Sequence, residues 1–318
     1  MKAYILEKNG GVENLKQVQL KDLVATGDQV LIETKAIGIN PADVQVRNSN
    51  FMLNMITGGN VPEQIILGWD VSGVVKQMGE KVTTFTVGDE VFGLISMPGL
   101  GSTYATEVLA SEHQLVLKPE NIQFSEAGAT PMAALTAWQA VVTKANVKSG
   151  DRVLVHAASG GVGHFAVQFA KEFGAYVIGT SSAKNEDFVR SLGVDEFLDY
   201  TKAPFEEQLE KVDVVIDTIN SVEHIQRSIK VIHSGGSLVY LQPHFAEALQ
   251  ASLQEAKVEG FGVFVSSSAE NLKEIASLLA SVKANTKVTQ TFSFDDLKDA
   301  QNVVESGRAT GKIVVVTE

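Results

Sequence analysis

Residues 152–173 read RVLVHAASGGVGHFAVQFAKEF, which is an apolar run, a glycine cluster and a second apolar run. The β-branched stretch 152–157 is typical of a strand, and 162–173 is typical of a helix. Between them, Ala158-x-Gly160-x-x-Gly163 is a variant of the glycine turn that precedes a helix in dinucleotide-binding proteins. Glycine permits a tight turn, and the helix N-terminus offers free N–H groups to a pyrophosphate. We predict a nucleotide-binding turn, the alternative being a purely structural one, formed by Ser159, Gly160, Gly161, Val162 and Gly163.

The end of the following strand indicates which nucleotide is bound. NAD-binding proteins usually place a carboxylate there to hold the ribose 2′-hydroxyl. This chain has the sequence TSSAK at 180–184 instead, with hydroxyl donors and a cation that suit a 2′-phosphate. A serine-rich turn that only caps the next helix is the alternative. We therefore favour NADPH over NADH as the cofactor, with contacts from Thr180, Ser181, Ser182, Lys184 and Tyr200.

The rest of this region alternates between strand and helix patterns. Near-continuous apolar strands separated by helices predict an α/β domain with a doubly wound parallel sheet over about 123–270. Ligands of such sheets bind beyond the carboxyl ends of the strands. We therefore expect further cofactor contacts just after the later strands, from Asn220, Gln242, Phe264, Val265 and Ser266.

Residues 1–122 have a different texture. Short β-branched segments alternate with glycine turns, as at 29–36, 71–77 and 90–94, which predicts a small β-barrel or sandwich. The tail after 270 reads strand, helix, strand and by its pattern fits either part. The sequence thus predicts a β-rich domain at 1–122 and a doubly wound domain at 123–270.

Composition excludes several functions. The 318 residues include 26 Lys plus Arg against 38 Asp plus Glu, a net charge of −12, which disfavours nucleic acid and anionic membranes as partners. The chain has no cysteine, which excludes disulfides and cysteine nucleophiles. The first residues lack the apolar stretch of a signal peptide, so we expect a cytoplasmic protein.

Several segments in order along the chain resemble the medium-chain dehydrogenase/reductase superfamily, specifically its zinc-free quinone oxidoreductases related to zeta-crystallin. These segments are GINPAD at 38–43 with Arg47, LGWDVSGVV at 67–75, VGDEVFG at 87–93, LTAW at 135–138, the 153–163 run, 213–217, and GKIVV at 311–315. The resemblance implies a GroES-like catalytic domain at 1–122 completed by 271–318, a Rossmann-type NADPH-binding domain, and an active site in the cleft between them. It also implies a homo-oligomer, either a dimer or a tetramer.

Zinc alcohol dehydrogenases of that superfamily have a cysteine at the position of Asn40 and a histidine at the position of Trp69. They also carry a four-cysteine structural zinc lobe that has no counterpart here. A catalytic zinc needs at least three good ligands and an open position. We therefore expect no metal at this site.

Without a Lewis acid, the plausible hydride acceptors are already activated: quinones, or alkenes conjugated to a carbonyl. The protein then has to hold donor and acceptor together and polarise the acceptor oxygen. The resemblance points to Asn40 beside the substrate or nicotinamide, although Asn-Pro also favours turns. Trp69 and Tyr104 either line the pocket or pack in the core, and Thr136 matches a family threonine near the cofactor. The expected catalytic residues are Asn40, Trp69, Asp70 and Tyr104.

The sequence therefore predicts an NADPH-dependent, zinc-independent oxidoreductase that acts on quinones or α,β-unsaturated carbonyl compounds. The alternative is an NADPH-binding structural or regulatory protein with little turnover, because a fold alone does not fix function. Residues 51–56, FMLNMI, form either an apolar pocket wall or a mobile lid, and the pattern does not choose between them.

Overall fold

The computed structural model describes residues 1–317, which divide into two compact units. The first unit contains 1–135 and the described residues from Val265 onward, and the second contains Thr136–Phe264. The strands are, in chain order, β1 Lys2–Leu6, β2 Leu15–Gln19, β3 Gln29–Ile39, β4 Ile65–Ile66, β5 Asp70–Met78, β6 Glu90–Leu94, β7 Glu107–Ser111, β8 Leu115–Leu117, β9 Arg152–Val155, β10 Tyr176–Ser181, β11 Glu196–Asp199, β12 Val212–Asp217, β13 Ile232–Tyr240, β14 Glu259–Gly262, β15 Val288–Ser293 and β16 Lys312–Val316.

Helices separate most of the strands of the second unit, and further helices belong to the first. They are α1 Pro41–Asn48, α2 Asn50–Thr57, α3 Phe124–Ala129, α4 Pro131–Trp138, α5 Gly163–Glu172, α6 Glu186–Ser191, α7 Val222–Lys230, α8 Ala246–Ala256, α9 Ala269–Ala280 and α10 Leu297–Glu305. A π-helical segment, Gln139–Lys144, continues α4. No helix within residues 1–317 combines the length and the apolar character needed to cross a membrane.

The first unit is built on a sheet of order β15-β16-β3-β5-β6-β8, with β7 also paired to β3. A smaller sheet has the order β2-β1-β4. The last strand, β16, runs antiparallel to β3, with Val314 opposite Gly38. Side chains on one face of β3, β5 and β6 form an apolar core that includes Val30, Ile32, Val71, Val75 and Val91. Strands β15 and β16 of the C-terminal tail thus belong to the sheet of this unit.

The second unit is an α/β layer structure on a sheet of order β11-β10-β9-β12-β13-β14. Every neighbouring pair in this sheet is parallel. The central strands β9, β10 and β12 are almost entirely buried. The apolar side chains of the sheet pack against α7 and α8 in a core that includes Leu154, Ile178, Val215, Ile225 and Leu249. The predicted doubly wound parallel sheet is therefore present.

The boundaries of the two units differ from the prediction, because residues 123–135 and 265–270 lie in the first unit. Contacts to that unit explain the shift. Ser72 Oγ donates to the Phe124 carbonyl at 2.6 Å, and Met132 N donates to Asp70 Oδ1 at 2.6 Å. Farther along, Met97 N donates to Ser267 Oγ at 2.9 Å. The apolar pattern at 262–265 also predicts a strand there, but the strand is Glu259–Gly262 and ends where that pattern begins.

The FMLNMI stretch forms α2, a helix with one buried face. Leu53 and Ile56 are buried, while Phe51 is 73% exposed and Met55 is 45% exposed. Ser49 caps its N-terminus by accepting a hydrogen bond from Met52 N, and Gly58 ends it in a left-handed conformation. The helix thus leaves part of its apolar surface exposed to solvent.

Candidate active site

The glycine turn lies between β9 and α5, as the sequence predicts. Ala157 adopts a left-handed backbone with φ of 48°, and Gly160 N donates to its carbonyl at 2.8 Å. A Cβ on Gly163 would lie 2.1 Å from the same carbonyl oxygen, so only glycine allows α5 to begin so close to the strand. The turn therefore has the shape of a phosphate cradle, with backbone N–H groups at the start of α5.

Two hydroxyl groups and an amide form a hydrogen-bonded cluster at one side of this turn. Ser159 Oγ and Ser181 Oγ are 2.8 Å apart, and Asn185 Nδ2 donates to both, at 3.0 and 3.2 Å. Ser181 is only 3% exposed, so its hydroxyl ties the glycine turn to β10. Asn185 was not among the predicted site residues, although its place four residues after Ser181 is the sequence signal that points to it.

The remaining predicted cofactor residues of the second unit follow the carboxyl ends of parallel strands, which meet at one edge of a sheet. Thr180 and Ser181 end β10 and are buried, whereas Ser182 is half-buried and Lys184 is exposed. Tyr200 follows β11 and is 57% exposed. At the same edge, Asn220 follows β12, Gln242 follows β13 and Phe264 follows β14.

Three predicted cofactor residues lie elsewhere. Thr136 is buried in α4, at the start of the second unit. Val265 and Ser266 belong to the first unit. The structure also adds a carboxylate at the sheet edge: Asp199 lies opposite Ser181 in the register of β10 and β11. Its Oδ1 accepts hydrogen bonds from Thr201 N and Oγ1, and these bonds lower its pKa.

At the end of β12, the buried carboxylate of Asp217 lies close to two histidines. Asp217 Oδ2 accepts hydrogen bonds from His224 Nδ1 at 2.9 Å and Ser228 Oγ at 2.7 Å. Ser228 Oγ also lies 3.1 Å from His156 Nε2. Burial lowers the pKa of His156 to about 4, so this ring is neutral near pH 7. Burial opposes the ionisation of Asp217, but its hydrogen bonds keep its pKa below the usual value.

In the first unit, Asn40 lies in a buried polar network at the start of α1. Its Nδ2 donates to Asp70 Oδ2 at 2.9 Å, and its Oδ1 accepts from Lys312 Nζ. Lys312 Nζ also lies 3.7 Å from Asp70 Oδ2. Burial raises the pKa of Asp70 and lowers that of Lys312, and each charge opposes the shift of the other. The structure thus brings two predicted residues together and adds Lys312, a lysine that opens an otherwise apolar strand.

A second chain of polar contacts runs beside this network. Tyr104 is fully buried, and its hydroxyl accepts from Gln301 Nε2 at 2.7 Å. Gln301 Oε1 in turn accepts from Arg47 Nη1 at 2.6 Å, and Arg47 pairs with Glu305. Asp43 accepts from Asn40 N at 2.6 Å, and burial raises its pKa to about 7. The catalytic roles of Asn40, Trp69, Asp70 and Tyr104 stay predictions, since all four side chains are buried among protein partners.

Position 69 does not offer a metal ligand. The Trp69 ring is fully buried, and its Nε1 donates to the Gly99 carbonyl at 2.8 Å. At position 40, the amide oxygen faces Lys312 and the amide nitrogen faces Asp70. An ammonium group in contact with that oxygen occupies the direction from which a cation would approach. The residues present do not fit the catalytic zinc of the alcohol dehydrogenases.

Comparisons with known proteins agree with both units. Residues 26–120 match the family model of the alcohol dehydrogenase GroES-like domain, and 192–315 match that of the zinc-binding dehydrogenases. The chain is 37% identical to 2-methylene-furan-3-one reductase of Solanum lycopersicum over 327 residues, covering 99% of this chain and 79% of that protein. It is 34% identical to the chloroplastic NADPH-dependent alkenal/one oxidoreductase of Arabidopsis thaliana, with the same coverage.

A solved structure gives the same result. The quinone oxidoreductase of Coxiella burnetii superposes with a TM-score of 0.92 at 32% identity, covering 100% of this chain and 99% of that one. The chain therefore belongs to the medium-chain dehydrogenase/reductase superfamily, among its quinone and alkenal oxidoreductases. It is an enzyme of the enone or quinone reductase type that uses a nicotinamide cofactor.

Proposed function

We propose that this enzyme is an NADPH-dependent, zinc-independent reductase of α,β-unsaturated carbonyl compounds and quinones. The observation that carries the proposal is the pairing of the glycine turn at 158–163 with a hydroxyl-rich, lysine-bearing end of β10. The 2-methylene-furan-3-one reductase and the alkenal/one oxidoreductase also support an enone as acceptor. A cytoplasmic location and a homo-oligomeric state stay predictions.

The chain's own residues account for the binding of the cofactor. The glycine turn and the N-terminus of α5 would hold the pyrophosphate, because N–H groups and the positive helix end favour an anion there. Lys184 and Ser182, the accessible polar residues after β10, would hold the 2′-phosphate. When bound, NADPH supplies a hydride to the acceptor, and water supplies the proton that completes the reduction.

Ser181 takes a different part from the one that the sequence suggests. Its hydroxyl is buried against Ser159 and Asn185, so we assign it to shaping the turn rather than to contacting phosphate. Asp199 is the group that would favour NADH. The Asp199 carboxylate accepts a hydrogen bond from Thr201 Oγ1, which fixes its orientation. Lys202 Nζ lies 3.8 Å from the same carboxylate and offsets its charge.

The acceptor is tested by following NADPH oxidation with a small enone, a benzoquinone and a bulky quinone, with NADH in parallel. We expect turnover with NADPH and at least one of these acceptors. Activity should survive removal of divalent metals by a chelator, which is the control for zinc independence. Tight NADPH binding without turnover on any acceptor would contradict the proposal and favour a binding protein, and loss of activity on chelation would contradict zinc independence.

Cofactor preference is tested with Lys184→Ala and Ser182→Asp. Losing one phosphate contact, or adding a carboxylate near it, should raise the KM for NADPH about tenfold, the equivalent of roughly 1.4 kcal/mol. The KM for NADH should change less than about twofold, since that cofactor lacks the 2′-phosphate.

Lys230→Ala is the matched control for these two variants. Lys230 is an exposed lysine at the end of α7 in the same unit. Its replacement should leave both KM values unchanged. If Lys184→Ala affects NADPH and NADH equally, the assignment of the 2′-phosphate site is wrong.

A further inference from the structure

The cluster of His156, Asp217, His224 and Ser228 has no part in the reaction proposed above. His156 follows β9 and Asp217 ends β12, while His224 and Ser228 lie one turn apart on α7. The two imidazole rings are 4.5 Å apart between centroids, at an angle of 82°. Phe205 packs against both rings, with centroid distances of 4.5 and 5.2 Å. The four polar side chains thus form one cluster, which packs against an aromatic ring.

The carboxylate in this cluster has an unusual set of partners. Asp217 is fully buried. Among residues 1–317, its hydrogen-bonding and ion-pair partners are His224, Ser228 and the backbone N–H of Ile219, with no lysine or arginine. Buried charges in proteins are normally paired with an opposite charge or bound to a metal ion. Two imidazole nitrogens and a carboxylate oxygen are also a ligand set that zinc prefers.

The ligand atoms are close to the required spacing. One such atom from each of His156, Asp217 and His224 lies within 4.8 Å of the others. Bonds of 2.0–2.1 Å in a tetrahedral site separate the ligand atoms by about 3.3 Å. The His224 and Asp217 atoms are 2.9 Å apart in a hydrogen bond, which a metal would replace with release of the Nδ1 proton. His224 lies on a helix and is only partly buried, so a small rotation of its side chain adjusts the remainder.

Outer contacts already orient these ligands. His156 Nδ1 lies 3.1 Å from Thr180 Oγ1, which would accept a proton from Nδ1 when Nε2 binds a metal. Asp217 Oδ1 accepts from Ile219 N at 2.9 Å, leaving Oδ2 toward the histidines. Metal-binding histidines and carboxylates in proteins are usually held by such second contacts. The cluster therefore resembles a metal site in its outer contacts as well as in its ligands.

We propose that His156 Nε2, Asp217 Oδ2 and His224 Nδ1 form a binding site for a divalent transition metal of the zinc type, with Ser228 Oγ beside the fourth position. Nitrogen ligands favour Zn²⁺ or Co²⁺ over Mg²⁺ and Ca²⁺, which prefer oxygen. The partly exposed edge of His224 provides the route of entry. This site lies in the second unit, whereas positions 40 and 69 belong to the first, and it does not depend on the proposed reaction.

The metal would join two segments that lead to the sheet edge. His156 immediately precedes the turn at 157–163, and Asp217 immediately precedes the loop that contains Asn220. Binding to the folded state alone raises the thermal midpoint with metal concentration. We therefore expect Zn²⁺ to stabilise the protein without being required for turnover.

The site is tested by titrating the chelator-treated full chain with Co²⁺ and recording its visible absorption. We expect one equivalent to bind with the absorption of a four-coordinate nitrogen and oxygen site, and Zn²⁺ to displace it. His224→Asn removes a ligand but keeps an amide that can donate to Asp217. This variant should bind Co²⁺ at least about tenfold more weakly.

His233→Asn is the matched control, since His233 is an exposed histidine on β13. It should bind Co²⁺ as the unmodified chain does. The proposal is overturned if the unmodified chain shows no saturable one-equivalent site, or if His224→Asn and His233→Asn bind equally. Circular dichroism checks that the His224 variant is folded, and His224→Gln replaces it if it is not.

Discussion

Lys312 illustrates how a single buried charge supports the candidate active site. Its ammonium group contacts Asn40 Oδ1 and lies 3.7 Å from Asp70 Oδ2, and all three side chains are buried. Removing one partner of a buried pair typically costs about 3–5 kcal/mol, because the other charge stays buried without compensation. We expect Lys312→Met to lower the free energy of unfolding by this amount, measured by urea denaturation.

Two further variants separate charge from packing at this position. Lys16→Met alters an exposed lysine on β2 and should change the unfolding free energy by less than about 0.5 kcal/mol. Adding Asp70→Asn to Lys312→Met removes the orphaned carboxylate and should restore part of the stability, in the manner of a double-mutant cycle. A loss at Lys312 no larger than that at Lys16 would show that the buried pair does not contribute.

The sequence alone did not predict the side-chain partners in the buried polar networks. The pattern singled out Asn40 and Asp70, but it gave no reason to join them to Lys312, some 240 residues later than Asp70 in the chain. Ser181 was predicted to contact phosphate, yet the fold turns its hydroxyl toward Ser159 and Asn185. Side-chain partners that are distant in sequence depend on strand register, which local patterns do not encode.

At the scale of elements, the start of α5 depends on one missing side chain. Alanine at position 163 would favour the helix by up to about 1 kcal/mol through its intrinsic propensity. Its Cβ, however, would lie 2.1 Å from the Ala157 carbonyl oxygen, so the backbone of the turn must move. We expect Gly163→Ala to lower the free energy of unfolding by about 1–3 kcal/mol and to weaken NADPH binding, as measured by urea denaturation and fluorescence titration.

Gly160→Ala is the comparison within the same turn. The nearest atom to a Cβ there is the same carbonyl oxygen, but at 3.1 Å, which a small adjustment relieves. Its loss of stability should therefore be smaller than that of Gly163→Ala. An equal or greater loss at Gly160 would mean that the close approach of α5 to the turn is not what requires glycine.

Elements of the second unit followed the sequence pattern more closely than those of the first. Buried parallel strands are continuously apolar, so β9, β10 and β12 were recognisable from the sequence. The alanine-rich composition of 125–145 predicts a single helix with Ser125 as its N-cap. The stretch is instead α3, with a capping box between Gln123 and Glu126, followed by α4 and a π-helical segment. Pro131 separates α3 from α4, and the continuous alanine-rich composition hid this break.

For the whole molecule, the order of the domains was predictable and their exact limits were not. Glycine turns and β-branched segments indicated a β-rich part, but α3 is helical and still packs on β3 and β5. Composition changes near Pro119, whereas the contacts divide the chain after Leu135. A boundary set by tertiary contacts does not need to coincide with a change of residue type.

The pairing of β16 with β3 has a consequence for biosynthesis. The second unit is one continuous stretch, Thr136–Phe264, and emerges from the ribosome complete while the first unit still lacks its final strand. Until β16 is added, the segment from Ala36 to Ile39 of β3 lacks its antiparallel partner on the side away from β5, and Asp70 has no ammonium partner. The first unit therefore reaches its native hydrogen bonding only after β16 has been synthesised, and a nascent chain arrested before β16 would expose that edge to other strands.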